Sequence, residues 1–286
     1  MPTALTVAAA LRTATRRLET SDSARLDAEL LLALALAVSR TQLFADPDRA
    51  LDEREYRRFD ALVTARAAAM PVAYLTGAAE FWSLPLAVTP DVLIPRADTE
   101  LVVATALALW PAAAPATVLD LGTGSGAIAA AMAHARPQFT VVASDRSRAA
   151  LAVAGANFAR LGLARVACFC GDWLAPVATA GCDVIVANPP YVGRGEAIDR
   201  AVSYEPAAAV FAAADGLADL GAIVAAAPRC LRRPGLVVVE HGHAQGAAVR
   251  GLLLSAGFDA IATRRDLAGH ERVSSGWWGE PLAAHN

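Results

Sequence analysis

The sequence contains no lysine, so all 25 of its basic residues are arginine. The formal net charge is −3 over 286 residues, which does not suggest a polyanion-binding protein. The four cysteines form no Cys-x-x-Cys pair and therefore indicate neither a zinc site nor a disulfide framework. Cys168 and Cys170 lie two apart in a strand-like run, and we predict that they are small buried side chains on one face.

The chain also lacks a long unbroken hydrophobic run. Residues 101–119 are uncharged, but Pro111 and Pro115 interrupt them. We therefore predict a helix, a linker and a strand here instead of a membrane span. The first arginine follows at Arg12 and no positive segment leads the chain, so we expect no signal peptide. These features predict a cytoplasmic protein that does not attach to membranes.

Residues 1–75 are predicted to form a small all-helical N-terminal domain. Ser21-Asp22-Ser23 is expected to cap one helix, and a second should run over 52–70 and stop before Pro71. The first helix would carry its apolar face on Leu26, Leu30, Leu34 and Val38. This part contains ten arginines and ten acidic residues, which argues against a nucleic-acid platform. Recognition of a protein partner and a cap on the neighbouring domain are both compatible with it.

Residues 76–95 are predicted to form a linker that contains a short hairpin over 81–88. After it, Asp98 or Thr99 is expected to cap a helix that runs to Trp110. Arg96 taken by itself indicates a surface charge. We assign residues 96–286 to one larger domain.

From Thr117 onward, strand patterns alternate with helix patterns, which predicts a doubly wound parallel α/β sheet. Strands are predicted near 117–121, 140–145, 165–170, 183–187 and 236–240, with 258–263 and 272–275 as a closing antiparallel pair. Helices are predicted over 127–135, 215–231 and 245–256. The carboxyl ends of the parallel strands are where such folds bind ligands.

The first of these strands runs into Gly122-Thr123-Gly124-Ser125-Gly126, where three glycines allow close backbone approach to a ligand at a helix N-terminus. Asp145 follows about twenty residues later, where an acidic side chain can bind ribose hydroxyls. This pattern fits a dinucleotide such as NAD as well as S-adenosylmethionine. For S-adenosylmethionine, Asp120 would meet the amino group of the methionine moiety. Trp173, which follows Asp172 just beyond the third strand, would lie near the adenine.

Asn188-Pro189-Pro190-Tyr191 ends another predicted strand and separates these alternatives. Proline carries no N–H, so its carbonyl has no competing local donor, and Tyr191 adds a flat aromatic face. Such a loop can hold a planar NH2 group. An NAD enzyme would leave it without a role, whereas S-adenosylmethionine-dependent methylation of an NH2 group uses both loops.

The motifs together resemble the HemK/PrmC family, the glutamine-N5 methyltransferases of peptide chain release factors. The similarity covers Asp27-Ala28-Glu29-Leu30-Leu31, 71–77, Leu93-Ile94-Pro95-Arg96, 119–126, Asn188-Pro189-Pro190-Tyr191, Tyr204-Glu205-Pro206 and Asp215-Gly216-Leu217. It implies a Rossmann-like methyltransferase domain, S-adenosylmethionine as cofactor, and a release factor as protein substrate, with no nucleic acid or metal bound and a monomeric state.

The resemblance also implies roles for site residues. The catalytic residues would be Asn188, Pro189 and Tyr191, and these with Pro190 would bind the substrate glutamine. The cofactor would contact Asp120, Gly122, Thr123, Gly124, Ser125, Gly126, Asp145, Asp172, Trp173 and Asn188.

Two alternative functions and one group of candidate bases stand beside this interpretation. Asn-Pro-Pro-Tyr also occurs in enzymes that methylate amino groups of adenine or guanine, and a non-catalytic S-adenosylmethionine-binding protein would share the glycine loop. His241, His243 and His270 could serve as bases, but lone histidines near strand ends are more often structural, and we assign them no role.

Overall fold

A computed structural model of the chain describes residues 5–213 and 216–282, and these fall into two compact units. The first unit contains the chain up to Ala78 together with Asp199–Tyr204, and the second contains Ala79–Ile198 and the chain from Glu205 onward. Among the described residues, no helix has both the length and the apolar character needed to cross a bilayer.

The first unit is helical, as predicted. Its helices are α1 (Val7–Arg17), α2 (Ala24–Leu36), α3 (Arg40–Ala45), α4 (Glu53–Ala67) and α5 (Val72–Thr76). The helix α4 begins at a capping box in which Asp52 accepts from the Glu55 N–H and the Glu55 carboxylate accepts from the Asp52 N–H. The later segment Asp199–Tyr204 joins this unit, where the Tyr204 hydroxyl donates to the Ala68 carbonyl oxygen at 2.9 Å.

Two predictions for α2 are wrong. Neither Ser21 nor Ser23 caps the helix; both hydroxyls donate to the Asp27 carboxylate at 2.8 Å. The buried positions are not the predicted face, since Leu26 is 41% exposed. The buried hydrophobic side chains instead include Ala28, Leu31, Leu32 and Ala35. Apolar residues occupy most sides of α2, so spacing alone did not decide which side packs inward.

The second unit is built on a sheet of seven strands. These are β3 (Thr117–Leu121), β4 (Thr140–Asp145), β5 (Ala167–Cys170), β6 (Cys182–Ala187), β9 (Leu231–Glu240), β10 (Asp259–Arg265) and β11 (Glu271–Trp278). Their order is β10-β11-β9-β6-β3-β4-β5, and the pairs β10·β11 and β11·β9 are antiparallel. The remaining neighbours are parallel. This is the predicted doubly wound sheet with its closing antiparallel pair.

Smaller elements complete this unit. The hairpin β1 (Ala78–Phe81) and β2 (Leu84–Ala87) turns at Trp82 and Ser83, both with the positive φ of a tight two-residue loop. The helices are α6 (Glu100–Leu109), α7 (Ala127–Ala135), α8 (Arg148–Arg160), α9 (Ala207–Val210), α10 (Ala218–Cys230) and α11 (Gly246–Ser255). A short pair joins β7 (Val192–Gly193) to β8 (Phe211–Ala212). The predicted start of α10 at Asp215 lies outside the described residues.

Alternate strand residues face two cores, as the period of two requires. Val118, Val184 and Val186 pack with α6 and α7 on one face. Leu119 and Ile185 pack with α10 and α11 on the other. Since β4 and β6 flank β3 on opposite sides, the switch in strand order falls beside the glycine loop, where a doubly wound sheet opens a crevice.

One core prediction is wrong. Cys168 and Cys170 are exposed, because β5 is the last strand of the sheet and receives less cover than its neighbours.

Candidate active site

The glycine loop leaves β3 and enters α7 through backbone conformations that favour glycine. Gly122, Gly124 and Gly126 have φ of 67°, 55° and 84°. The ring of Trp173 lies against Gly122, where a Cβ would come within 3.1 Å of it. A side chain at this position would therefore displace the indole or fill the space above the loop.

Asp145 ties the end of β4 to this loop. Its Oδ2 accepts from the Gly124 N–H at 3.0 Å and its Oδ1 accepts from the Ser147 N–H at 2.8 Å. The carboxylate is thus held at the mouth of the crevice by two backbone donors, with lone pairs left for a ligand.

A cavity opens above these strand ends, with an empty volume of about 850 Å³ including its mouth. This size suits a cofactor or a drug-sized ligand. Of the predicted site residues, its wall contains Gly122, Gly124, Asp145, Asp172, Trp173, Asn188 and Pro190. The other predicted residues do not line it; they are Asp120, Thr123, Ser125, Gly126, Pro189 and Tyr191.

Asp120 lies beneath the glycine loop and is buried. Its Oδ2 accepts from the Thr123 hydroxyl at 2.6 Å and from the Ala129 N–H at 3.1 Å. Burial raises the pKa of this carboxyl to about 7. Asp120 therefore braces the loop against the start of α7, and its predicted contact with the methionine amino group stays a prediction.

Asn188 follows directly on β6 and reaches the cavity. Its amide nitrogen Nδ2 donates to the Thr99 hydroxyl at 3.0 Å. This bond uses the nitrogen and leaves the amide oxygen for the cavity that Asn188 lines. Thr99 immediately precedes α6 but makes no side-chain hydrogen bond to that helix, and so does not cap it as predicted.

Tyr191 points its hydroxyl away from solvent, to Glu240 Oε1 at 3.1 Å. Burial raises the pKa of Tyr191 well above its usual value. Burial likewise raises the pKa of Glu240 to about 7, although the neighbouring hydroxyls of Thr99 and Tyr191 lower it. Sequence reasoning missed Glu240 and the role of Thr99. The available signal was an acidic residue at the carboxyl end of the strand next to β6.

The main chain of Tyr191 is also fixed. Its carbonyl oxygen accepts from Gln245 Nε2 at 3.0 Å. Gly216 passes so close that a Cβ there would lie 2.0 Å from the same oxygen, and its φ of 82° also favours glycine. The shape of the Asn188–Tyr191 loop therefore depends on two distant segments.

Arg96 is not an isolated surface charge. It forms an ion pair with Glu205, whose side chain is only 1% exposed, and Glu205 Oε2 also accepts from the Ile94 N–H at 3.2 Å. Nearby residues of both segments, Leu93 and Pro206, line the cavity. The pair thus joins two parts of its wall.

The described part of the chain supports neither a metal centre nor a base at His241. The part of the chain that the structure describes holds no cluster of three or more histidine, cysteine or acidic side chains suited to a metal. His241 is buried, with its ring nitrogens at 2.9 Å from the Gly242 carbonyl and from the Ser274 hydroxyl. Burial lowers the pKa of His241. Its contacts are those of a structural histidine.

Comparison with known proteins agrees with this geometry. Residues 9–77 match the PrmC N-terminal domain family, and residues 99–240 match the methyltransferase small domain family. A release factor glutamine methyltransferase of Pseudomonas aeruginosa is 47% identical over 264 residues, which cover 92% of this chain and 95% of that protein. The chain belongs to the release factor glutamine methyltransferase family. The Escherichia coli member is 40% identical over 268 residues, covering 93% of this chain and 96% of that protein.

The fold agrees with the family assignment. The crystal structure of a methyltransferase from Pyrococcus furiosus is similar, with a TM-score of 0.53 and 18% sequence identity. The similarity covers 79% of this chain and 99% of that one. As a member of the release factor glutamine methyltransferase family, the present protein uses S-adenosylmethionine as its cofactor. The cavity fits this cofactor, because its wall contains glycines that a ligand can approach closely, the acidic Asp145 and the aromatic Trp173.

Proposed function

We propose that this enzyme methylates the side-chain amide nitrogen of a glutamine in a peptide chain release factor, at its Gly-Gly-Gln loop. The observation that carries the proposal is the Asn188 amide at the end of β6. Its nitrogen is engaged by Thr99, so its oxygen is free to accept from an NH2 group in the cavity. That the substrate is a release factor is inferred from the relatives, which are release factor glutamine methyltransferases.

Cofactor binding is assigned to the wall above β3 and β4. Gly122 and Gly124 would approach the cofactor with their backbone, Asp145 would accept from ribose hydroxyls, and Trp173 would lie beside the adenine. Trp173 Nε1 donates to Asp219 at 3.0 Å, which fixes the plane of the indole. When bound, S-adenosylmethionine supplies a methyl group on a positively charged sulfur.

Positioning is the main work of the Asn188–Tyr191 loop. A glutamine amide nitrogen is a weak nucleophile because its lone pair is delocalised into the carbonyl. Asn188 Oδ1 and the Pro189 carbonyl oxygen would accept its two hydrogens and so direct the nitrogen into the cavity. Holding reacting atoms in an attack geometry can supply about 7–11 kcal/mol of a barrier. No strong base is needed, since the methylated amide sheds its extra proton readily.

Recognition of the release factor is assigned to residues 1–75. A glutamine in a small loop offers little surface of its own, so a second contact region would supply most of the affinity. This part of the chain is electrically neutral and matches the PrmC N-terminal domain family.

The direct test is incubation of the enzyme with labelled S-adenosylmethionine and either a release factor or duplex DNA. We expect label in the release factor alone, and one added methyl group on its Gly-Gly-Gln peptide in a mass spectrum. Label in DNA and none in the factor would favour the amino-methylation of nucleic acid. Cells that lack the enzyme should yield the unmodified peptide.

A further inference from the structure

A chain of buried polar groups lies behind the Asn188–Tyr191 loop, and its far end at Glu240 has no part in the function described so far. It begins at the Asn188 Nδ2, which donates to the Thr99 hydroxyl at 3.0 Å, and it ends at the Glu240 carboxylate, which lies beside Thr99 and accepts from the Tyr191 hydroxyl at 3.1 Å. Thr99 is 4% exposed and Glu240 is 1% exposed, so water does not compete for these bonds.

The chain of bonds has a direction, because a threonine hydroxyl has only one hydrogen. If Thr99 gives this hydrogen to the Glu240 carboxylate, its oxygen can only accept from Asn188. The partner on Asn188 must then be the amide NH2. The oxygen and the NH2 group of the Asn188 amide are similar in size, so packing does not distinguish them. Their hydrogen-bond partners decide which of the two faces the cavity.

We propose that Thr99 and Glu240 are positioning residues that select the orientation of the Asn188 amide, with its oxygen toward the substrate. The inference rests on the proposed function, in which that oxygen accepts from the glutamine NH2. With the amide turned over, Asn188 would present its own NH2 to the substrate NH2, and two donors would face each other.

Two further observations favour this assignment over a role in packing alone. Thr99 stands where a threonine ordinarily caps a helix, yet its hydroxyl makes no capping bond to α6 and is used for Asn188 instead. Glu240 keeps a carboxylate among buried groups, and its Oε2 has no hydrogen-bond partner among the described residues, so an acceptor stands available beside the Thr99 hydroxyl. A buried carboxyl is costly, and an apolar residue would serve a strand end better.

The test compares Thr99→Val, which keeps the shape and removes the hydroxyl, with Thr99→Ser, which keeps the hydroxyl. Thr105→Val is the matched control, because Thr105 is also buried at the α6 core and its hydroxyl has no partner among the described residues. We expect Thr99→Val to lower kcat roughly 10- to 100-fold, as loss of an outer-shell partner does at metal sites. Thr99→Ser should stay within roughly threefold of the wild type, and Thr105→Val should match it.

Two readouts separate positioning from general damage. Calorimetric titration should give the same S-adenosylmethionine affinity for all three variants, and the KM for the release factor should change little while kcat falls. Glu240→Gln should show the same pattern to a smaller extent, since its amide has one acceptor oxygen for the two hydroxyls and its NH2 can only donate. Because both residues act on one amide, the double variant Thr99→Val/Glu240→Gln should lose no more than the worse single variant.

Each contrary result has a distinct meaning. Wild-type kcat in Thr99→Val, equal losses in Thr99→Ser, or additive losses in the double variant would overturn the positioning assignment. If Thr99→Val fails to fold by its melting curve, Thr99→Ala and Glu240→Gln take its place in the same comparison. Asn188→Ala is assayed beside them: if it retains full activity, the proposed function of Asn188 itself fails, whatever Thr99 does.

Discussion

At the scale of single residues, Asn188 separates positioning from base catalysis. Asn188→Ala removes the acceptor for the substrate amide, and the loss in kcat should correspond to about 2.7–4 kcal/mol, by analogy with oxyanion-hole donors. Asn188→Asp should also be poor, because it lacks the NH2 that donates to the buried Thr99 and brings a new charge that must be desolvated there. The measurement is kcat as a function of pH. An active Asp variant whose rate rises through the pKa of its carboxylate would contradict the positioning account.

A second prediction at this scale concerns Asp145 and the affinity for the cofactor. Asp145→Ala should weaken S-adenosylmethionine binding by roughly 1.5–3 kcal/mol, the worth of a hydrogen bond to a charged group. It also frees the Gly124 and Ser147 N–H groups. Asp145→Asn keeps one oxygen for these donors and should lose less. Calorimetry with NADH serves as the control: no binding is expected, and unchanged cofactor affinity in Asp145→Ala would remove the residue from the site.

Ionisation of Glu240 is expected to lower the stability of the folded state and to raise kcat as the pH rises. Its pKa is raised from 4.5 to about 7, so the folded state favours the protonated form, and stability is lost as the pH rises through about 7. Ionisation should cost on the order of 3 kcal/mol at full extent. Arg272 opposes the shift and Asp98 adds to it, while Asp120 titrates in the same range.

The check is the free energy of unfolding of the wild type and Glu240→Gln from about pH 5 to about pH 8. The difference should grow in favour of Glu240→Gln as the pH rises. Over the same range, kcat of the wild type should rise, because the ionised carboxylate is the stronger acceptor for the Thr99 hydroxyl and has no O–H of its own to donate to it. Parallel unfolding curves would show that Glu240 does not titrate here, and a wild-type kcat that stays flat would remove its ionisation from the mechanism.

At the scale of elements, the pair Arg96–Glu205 holds two segments of the cavity wall together. Glu205→Ala leaves the Ile94 N–H and the guanidinium without their acceptor, and should cost about 1–3 kcal/mol of stability. The cost is below that of a fully buried pair because Arg96 is 40% exposed and can be solvated. Melting temperature is the measurement, at about 2–4 °C per kcal/mol.

The matched control for Glu205→Ala is Arg265→Ala. It breaks an ion pair at 3.3 Å whose arginine is 62% exposed, in the same unit. Such pairs contribute little, so the melting temperature should hardly change. Equal changes in melting temperature for the two variants would mean that the Arg96–Glu205 pair stabilises the fold no more than an exposed ion pair does.

At the scale of the whole molecule, the two units are expected to divide the work. Deleting residues 1–75 should leave S-adenosylmethionine affinity unchanged and sharply raise the KM for the release factor. The deletion also removes the Ala68 partner of Tyr204, so Tyr204→Phe in the full chain is the control for that bond alone. A truncated enzyme that folds and methylates the whole factor as well as before would reduce the helical part to a cap.

Much of the fold follows from local pattern. The strand Thr117–Leu121 and the helix Ala127–Ala135 have the predicted bounds, because period, glycine loop and helix start all lie within a few residues of each other. Where the local pattern was ambiguous, prediction failed: α2 is apolar on most sides, and Cys168 and Cys170 lie in a strand whose edge position depends on the other strands.

The sequence by itself determined the chemistry of the site: a glycine loop with an acidic residue after the next strand, and a loop suited to a planar NH2 group. Only the tertiary structure decided what holds that loop. Asn188 and Thr99 lie 89 residues apart, and Tyr191 and Glu240 lie 49 apart. These pairs meet because β6 and β9 are neighbours in the sheet, with α6 packed against it. Periodicity and turn chemistry are local properties, whereas strand order, which brings these partners together, is settled by how the whole sheet buries its two faces.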